Sequence, residues 1–436
     1  MDNSYYTYID NTLLMMSSNT PRTKEIILPL ILINLLFFMW GFIWNLANVL
    51  VALFQETFEL SNFQTSLLTS VSFLAFFALS YPAKMIIERL KTKNSIILGA
   101  IITGSGLLVF IPAALLQVFN LFLLGTFIVF SGVTFLQIVC NPYVRALGPS
   151  KTAASRINLS QGLGAIGAFL TAYVGGGFIL KLYAENPFKG IAWFYLVLAL
   201  IFFVLAIFVR FTSMPVNPTD ENGKDEEQRN GHKSSNMKSA WGFRHFRIGF
   251  VVLLLYMGAE AILYQLMTPY FMELEPITKA RAVDISGLLF LGLMIGRLLG
   301  ASILVKIKPG KLVGWFAIIA AALIVFSMLS TGYSAIYSIV LTGFFISIMF
   351  ASIYSLAIDG LGTFTNEASS FLIMAISGGF FLPMLFGLAA DSFSLKTSLI
   401  IVVLPLLLAS WYGFFGSRKT RPMVGIEHKP TERNSV

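Results

Sequence analysis

Charge is scarce in this sequence. Asp, Glu, Lys and Arg together supply 12% of its 436 residues, where a water-soluble domain carries about a quarter. With 56% hydrophobic residues besides, the chain is neither an ordinary soluble protein nor a disordered one. Cysteine is nearly absent. The single Cys140 excludes an internal disulfide framework, a thiolate zinc site and a CxxC redox pair. Histidine is almost as rare. His232, His245 and His428 all fall in polar stretches, so no buried histidine metal cluster is expected, and no cofactor. Acidic residues number 21 against 30 basic ones, a formal net charge of +9. Such an excess can mark a nucleic-acid partner, but its distribution along the chain, given below, points to a bilayer instead.

Long apolar runs dominate what is there, with 41 phenylalanines among them. A helix needs about 20 apolar residues to cross the hydrocarbon core. Twelve such stretches are readable, at 26–54, 64–87, 95–116, 119–143, 158–180, 191–211, 246–271, 285–305, 311–330, 333–357, 368–390 and 396–416. Short alternating strands of a barrel are not seen, so an all-α, twelve-helix membrane protein is expected. Residues 1–25 are polar and tyrosine-rich, with no basic stretch before an apolar core. They read as a disordered extension rather than a cleavable leader.

The interruption at 212–245 is the longest polar one and includes Asp220, Glu221, Asp225, Glu226 and Glu227. It reads as a solvated linker between two six-helix halves, 26–211 and 246–416, with a tail at 417–436. If the N-terminus is inside, 25 of the 30 Lys and Arg fall on the cytoplasmic side, Arg297 being counted there with Lys306, Lys308 and Lys311. That asymmetry predicts cytoplasmic termini and a multi-pass protein of a bacterial inner membrane. The halves also repeat. Leu147–Gly148, Ala154–Ser155 and Gly164 recur 214 residues later as Leu361–Gly362, Ala368–Ser369 and Gly378. Parallel six-helix repeats around a mid-membrane site are the layout of the major facilitator superfamily.

Polar side chains inside a bilayer are costly, so each implies a partner or a role. Asp284 and Asp391 lie near span ends and Asp359 at the mouth of the tenth; Glu260 alone lies deep in a span. Tyr256, Glu260 and Tyr264 are four residues apart and share a helix face. Glu260 reads either as a proton-binding or substrate-contacting acid, or as a protonated structural group tied between helices. The first span carries Asn45 and Asn48 beside Trp40 and Trp44; the fourth carries Gln137 and Asn141; the fifth opens with Asn158 and Gln161. Amides pair both donors and acceptors, which suits vicinal hydroxyls, and a Trp ring offers an apolar plate to a sugar's C–H face. A polyol or sugar cavity is one reading and interhelical hydrogen bonding the other. Gly162-Leu-Gly164-Ala-Ile-Gly167 fits a dinucleotide fingerprint but has no preceding strand, so close helix packing is expected. The basic turn Lys84–Lys93 serves either as a latch between the halves or only as a topology signal.

Particular motifs carry a resemblance. Phe38-Met-Trp40-Gly41-Phe-Ile-Trp44-Asn45-Leu46, Leu60-Ser-Asn62-Phe63-Gln64, Asn141-Pro-Tyr-Val-Arg-Ala-Leu-Gly-Pro149, Arg156-Ile-Asn158-Leu-Ser-Gln161, Tyr256-Met-Gly-Ala-Glu260 and Ser369-Ser-Phe371 with Ser377-Gly-Gly379 resemble the fucose permease family, the fucose–galactose–glucose proton symporters. The resemblance covers roughly 26–416. It implies a monosaccharide carrier working by alternating access, and no enzyme. That family has coupling acids where Asn48 and Gln137 stand here, and its fucose-specific member an amide where Gly164 stands. Sugar binding by Trp44, Asn45, Asn48, Gln137, Asn141, Asn158, Gln161 and Glu260 is therefore expected, with Glu260 the candidate for proton coupling. Proton symport is favoured over uniport, and sodium coupling is the lesser expectation. A monomer in the bilayer is expected. An exporter of another small solute or drug, and a sugar sensor that moves nothing, are the competing functions.

Overall fold

The structure, a computed structural model, describes residues 23–57, 62–171, 187–215 and 239–419. Within them the backbone is almost entirely helical, as a bilayer demands, because each N–H and C=O must find its partner within the segment. In chain order the helices are α1 (Thr23–Thr57), α2 (Asn62–Leu116), α3 (Phe119–Ala146), α4 (Ala153–Thr171), α5 (Pro187–Phe211), α6 (Arg244–Leu274), α7 (Lys279–Lys306), α8 (Pro309–Leu329), α9 (Gly332–Ile346), α10 (Met349–Ala357), α11 (Thr365–Met374), α12 (Gly378–Ser392), α13 (Leu395–Ser398) and α14 (Ile400–Trp411).

These make twelve passes. Ten described helices are long and apolar enough to span a bilayer, and two features account for the difference. Residues Ser70–Leu116 form one unbroken apolar segment of 47 residues, about 70 Å of helix against a hydrocarbon thickness of about 30 Å. It is two passes, turned where Lys91 leaves helical geometry at φ 62° and ψ 170°. The fifth pass, α4, does not register by apolarity because it holds Asn158, Ser160 and Gln161 within 19 residues. The tenth pass is α9 and α10, broken at Ser347–Ile348, and the eleventh is α11 and α12 joined by the tight turn Ala375–Ser377.

Successive passes alternate direction, which puts Lys91, Arg145, Phe211, Arg244, Lys306, Asp359 and Ser417 at one end of the bundle. We call this end the linker face. Packing between the two halves concentrates in the middle and linker-side parts of the helices: α4 on α7 and α10, α11 on α2 and α3. Glycine permits the tightest approaches. A Cβ on Gly41 would stand 2.0 Å from the carbonyl oxygen of Gly164, and one on Gly167 2.2 Å from that of Phe38. Gly164 and Gly167 of the GxGxxG run thus fit α4 against α1, while Gly162 faces Leu298 of α7, close helix packing as expected from the run's place in an apolar span.

Two parts of the sequence reading need amendment here. The linker's last residues are not simply solvated. Ser239 donates to Glu367 (2.7 Å), and Trp241 lies edge-on to Phe246, Phe250 and Phe371. His245 is not in a polar stretch but buried at the start of α6, its Nε2 3.0 Å from the Asp359 carbonyl. No group of three or more metal-capable side chains occurs among the described residues. Residues 1–22, most of the 212–245 linker (216–238) and most of the 417–436 tail (420–436) lie outside the described residues.

Candidate functional site

The site starts from a backbone fault. Where α9 ends and α10 begins, the helix hydrogen-bond ladder is interrupted, and side chains take up carbonyls beside the bend. Tyr256 Oη donates to Ile346 O at 2.9 Å and Arg297 Nε to Ser347 O at 3.2 Å. Such repair is what makes a broken helix tolerable at membrane depth. It also draws α6 and α7 to the same point of the tenth pass.

Arg297 is the residue that the sequence reading misplaced. It was counted with the cytoplasmic charges, but it sits nine residues before the end of α7 at Lys306, about 13 Å inside the helix end, with its side chain largely covered. The charge asymmetry then becomes 24 against 5, which leaves its sense unchanged. Nη2 of Arg297 lies 3.8 Å from Glu260 Oε1. The same Glu260 oxygen accepts a hydrogen bond from Tyr264 Oη, one turn along α6. Glu260 is buried, and an ion pair with an added hydroxyl donor is the arrangement that makes a buried carboxylate bearable. Its position within an apolar run was the signal that could have revealed Arg297.

From Arg297 the polar contacts cross to the other half. Nη1 donates to the Gln161 carbonyl at 3.4 Å, Gln161 Nε2 to Asn141 Oδ1 at 3.4 Å, and Asn141 Nδ2 to the Gln137 carbonyl at 2.9 Å. Four expected site residues, Gln137, Asn141, Gln161 and Glu260, are therefore linked in one path, and all four are buried. Asn158 stands one turn from Gln161 towards the linker face. Its Nδ2 donates to Ala154 O (2.9 Å) and to Ser352 Oγ of α10 (3.2 Å), while its Oδ1 has no protein partner. Trp44 sits in an aromatic wall, 5.1 Å from Phe130, 5.8 Å from Phe76 and 5.9 Å from Phe73 between ring centroids. The structure gives it no polar contact with the path. The side chains of Asn45 and Asn48 lie outside what is described.

The linker face is held by a second group. Arg145, at the end of α3, binds the Asp359 carboxylate and reaches the Ser355 carbonyl at 3.4 Å. Lys419 of the tail takes the other Asp359 oxygen at 2.8 Å. Burial opposes the ionisation of Asp359, but Lys419 and Arg145 outweigh it and hold this carboxyl below its ordinary value. Lys84 pairs with Glu88 on its own helix at 3.6 Å. The ion pair observed between the halves is thus Arg145–Asp359, not one from the basic turn.

An all-helical, twelve-pass chain with internal repetition and polar groups between its halves has known relatives. The family model of the Major Facilitator Superfamily matches residues 33–382. The glucose/galactose transporter of Brucella abortus is 32% identical over 407 residues, covering 92% of this chain and 97% of that one. The L-fucose-proton symporter of Escherichia coli is 28% identical over 391 residues, covering 85% and 89%. A crystal structure of the E. coli fucose:proton symporter superposes with a TM-score of 0.81 at 27% identity, covering 91% of this chain and all of that one. With the family model spanning most of the sequence and the fold superposing along nearly its whole length, the chain belongs to the Major Facilitator Superfamily.

Proposed function

We propose that this protein is a monosaccharide carrier of a bacterial inner membrane, with its termini and linker on the cytoplasmic side. Its halves, 26–211 and 246–416, rock about a central sugar site. The carrying observation is the polar path Glu260–Arg297–Gln161–Asn141, which joins an acid of one half to amides of the other at mid-membrane depth. Its donors and acceptors suit sugar hydroxyls. Relatives named for glucose, galactose and fucose transport along nearly their whole length support the same substrate class. The site comprises Gln137, Asn141, Asn158, Gln161 and Glu260, completed by Trp44, Asn45 and Asn48 from α1.

Asn48 and Gln137 are amides and cannot take up a proton near neutral pH. Glu260 is the acid placed for that task, and its partners Arg297 and Tyr264 lie where a change in its charge alters contacts on both halves. The test is transport in proteoliposomes. The purified chain should accumulate glucose, galactose or fucose under an imposed pH gradient. Glu260→Gln should abolish accumulation while counterflow continues, and Gln161→Ala should weaken counterflow several-fold, each lost hydrogen bond being worth about 1 kcal/mol. Accumulation that persists in Glu260→Gln removes Glu260 from the coupling. One observation favours a second reading, downhill uniport. Arg297 gives Glu260 a standing counter-charge, which would keep the pair neutral without a proton. A wild type that exchanges sugar but accumulates none under proton or sodium gradients identifies the uniporter. Failure of all three sugars to exchange would return the exporter and the sensor.

A further inference from the structure

The repeated dipeptide Ala-Ser, at 154–155 and again at 368–369, has a structural counterpart that the sugar path does not use. Ser155 Oγ, on α4 of the first half, donates to Ala301 O of α7 in the second half at 2.6 Å. Ser369 Oγ, on α11 of the second half, donates to Ile138 O of α3 in the first at 2.7 Å and accepts from Tyr354 Oη of α10, in its own half, at 2.6 Å. The two serines are equivalent in the repeat, and their bonds run in opposite directions across the same boundary. Ala301 O lies inside a regular helix, where a carbonyl keeps a lone pair for a side chain, whereas Ile138 O stands four residues before Pro142, which has no N–H to offer it, so Ser369 supplies the partner that the helix lacks. The preceding alanines are buried. Ala154 packs with Leu304, Leu312 and Ile348 of the opposite half, so a small residue there lets the serine's short side chain reach across.

We propose that Ser155 and Ser369 are a reciprocal pair of hydroxyl latches that hold the halves together on the linker face, and that their hydroxyls set the balance between its closed and open states. The proposal rests on the reading that the halves move against one another. It does not depend on which solute is carried. A hydroxyl suits the task because the donor can let go cheaply, although at Ile138 parting also costs the carbonyl the partner that Pro142 denies it. On parting, a serine in a helix turns its Oγ back to the carbonyl four residues earlier, as Ser131 and Thr134 already do on α3. No charge is then stranded in lipid. Arg145 and Asp359, which lie nearer water, have no such internal refuge.

The test reads closure directly, on the full chain and without sugar. Ala154→Cys places a thiol between the halves, and the parent chain with its single buried Cys140 serves as the blank. Ser369→Ala, whose lost bond lies on another helix pair, should raise the maleimide labelling rate at position 154 by about threefold, since a hydrogen bond between membrane helices averages about 0.6 kcal/mol. The double variant Ser155→Ala/Ser369→Ala should raise it by about tenfold, the two effects multiplying. Ser369→Thr keeps the hydroxyl and should label at the parental rate. Thermal unfolding separates opening from misfolding, since the predicted change leaves the midpoint near that of the parent. Unchanged labelling in folded Ser369→Ala overturns the proposal, as does an equal increase in Ser369→Thr, which would make the effect one of packing rather than of the hydroxyl.

Discussion

Arg297 touches the carboxylate of Glu260, the carbonyl of Ser347 and the carbonyl of Gln161, three groups on three different passes. Removing one member of a buried ion pair leaves the other charge without compensation, at a cost of about 3–5 kcal/mol, whereas removing both costs much less. Arg297→Gln should therefore lower thermal stability more than the double variant Arg297→Gln/Glu260→Gln. Equal losses would mean that the pair does not hold opposite charges. Glu260 stood out in the sequence because an acid deep in an apolar run must have either a partner or a role. Arg297 was missed although it lies in the middle of the 285–305 run, because it was summed with the loop charges Lys306, Lys308 and Lys311 instead of being read with the polar groups inside the spans. Asn141 and Gln161 were legible as a polar stripe, but their contact depends on how α3 and α4 cross, which residue types do not encode.

At the scale of the helix, the same distinction separates small residues from large. Gly164 stands in a run read as close helix packing and Gly41 does not, yet the tighter approach is at Gly41, whose Cβ would stand 2.0 Å from Gly164 O, against 3.0 Å from Phe37 O for a Cβ on Gly164. Gly41→Ala would drive its methyl into the Gly164 carbonyl, a backbone atom that cannot rotate away. Forced overpacking costs typically 1–3 kcal/mol, so the variant should unfold several degrees earlier and lose the approach of α1 to α4. An unshifted melting curve would show that α1 slides freely. The passes themselves were readable from apolar length. The breaks at Ser347–Ile348 and Ala375–Ser377 were not, since no proline lies at either. The first is sustained from outside, by Tyr256 and Arg297, so its support lies on other helices.

For the molecule as a whole, the excess of Lys and Arg at the linker face predicts its side of the membrane, because basic loops are retained in the cytoplasm. A cysteine introduced at Asn222, in the linker, should resist an impermeant thiol reagent applied to intact cells and react once the membrane is opened. Rapid labelling of intact cells would invert the topology and with it the meaning of an outward or inward opening. At this scale the all-helical, multi-pass fold was the most legible feature, since apolar length is summed over many residues.

Arg145 and Asp359 are 214 residues apart, the same offset that separates the two Ala-Ser pairs, so they occupy one and the same position of the repeat. In a dimer of identical six-helix subunits, a residue on the two-fold axis meets its own copy, and arginine would face arginine there, or aspartate face aspartate. Attraction at that point is open only to a chain in which the two copies are joined and free to diverge. The ion pair is thus a contact that a symmetric ancestor could not have made, and it marks a place where fusion of the halves yielded something that mere association could not.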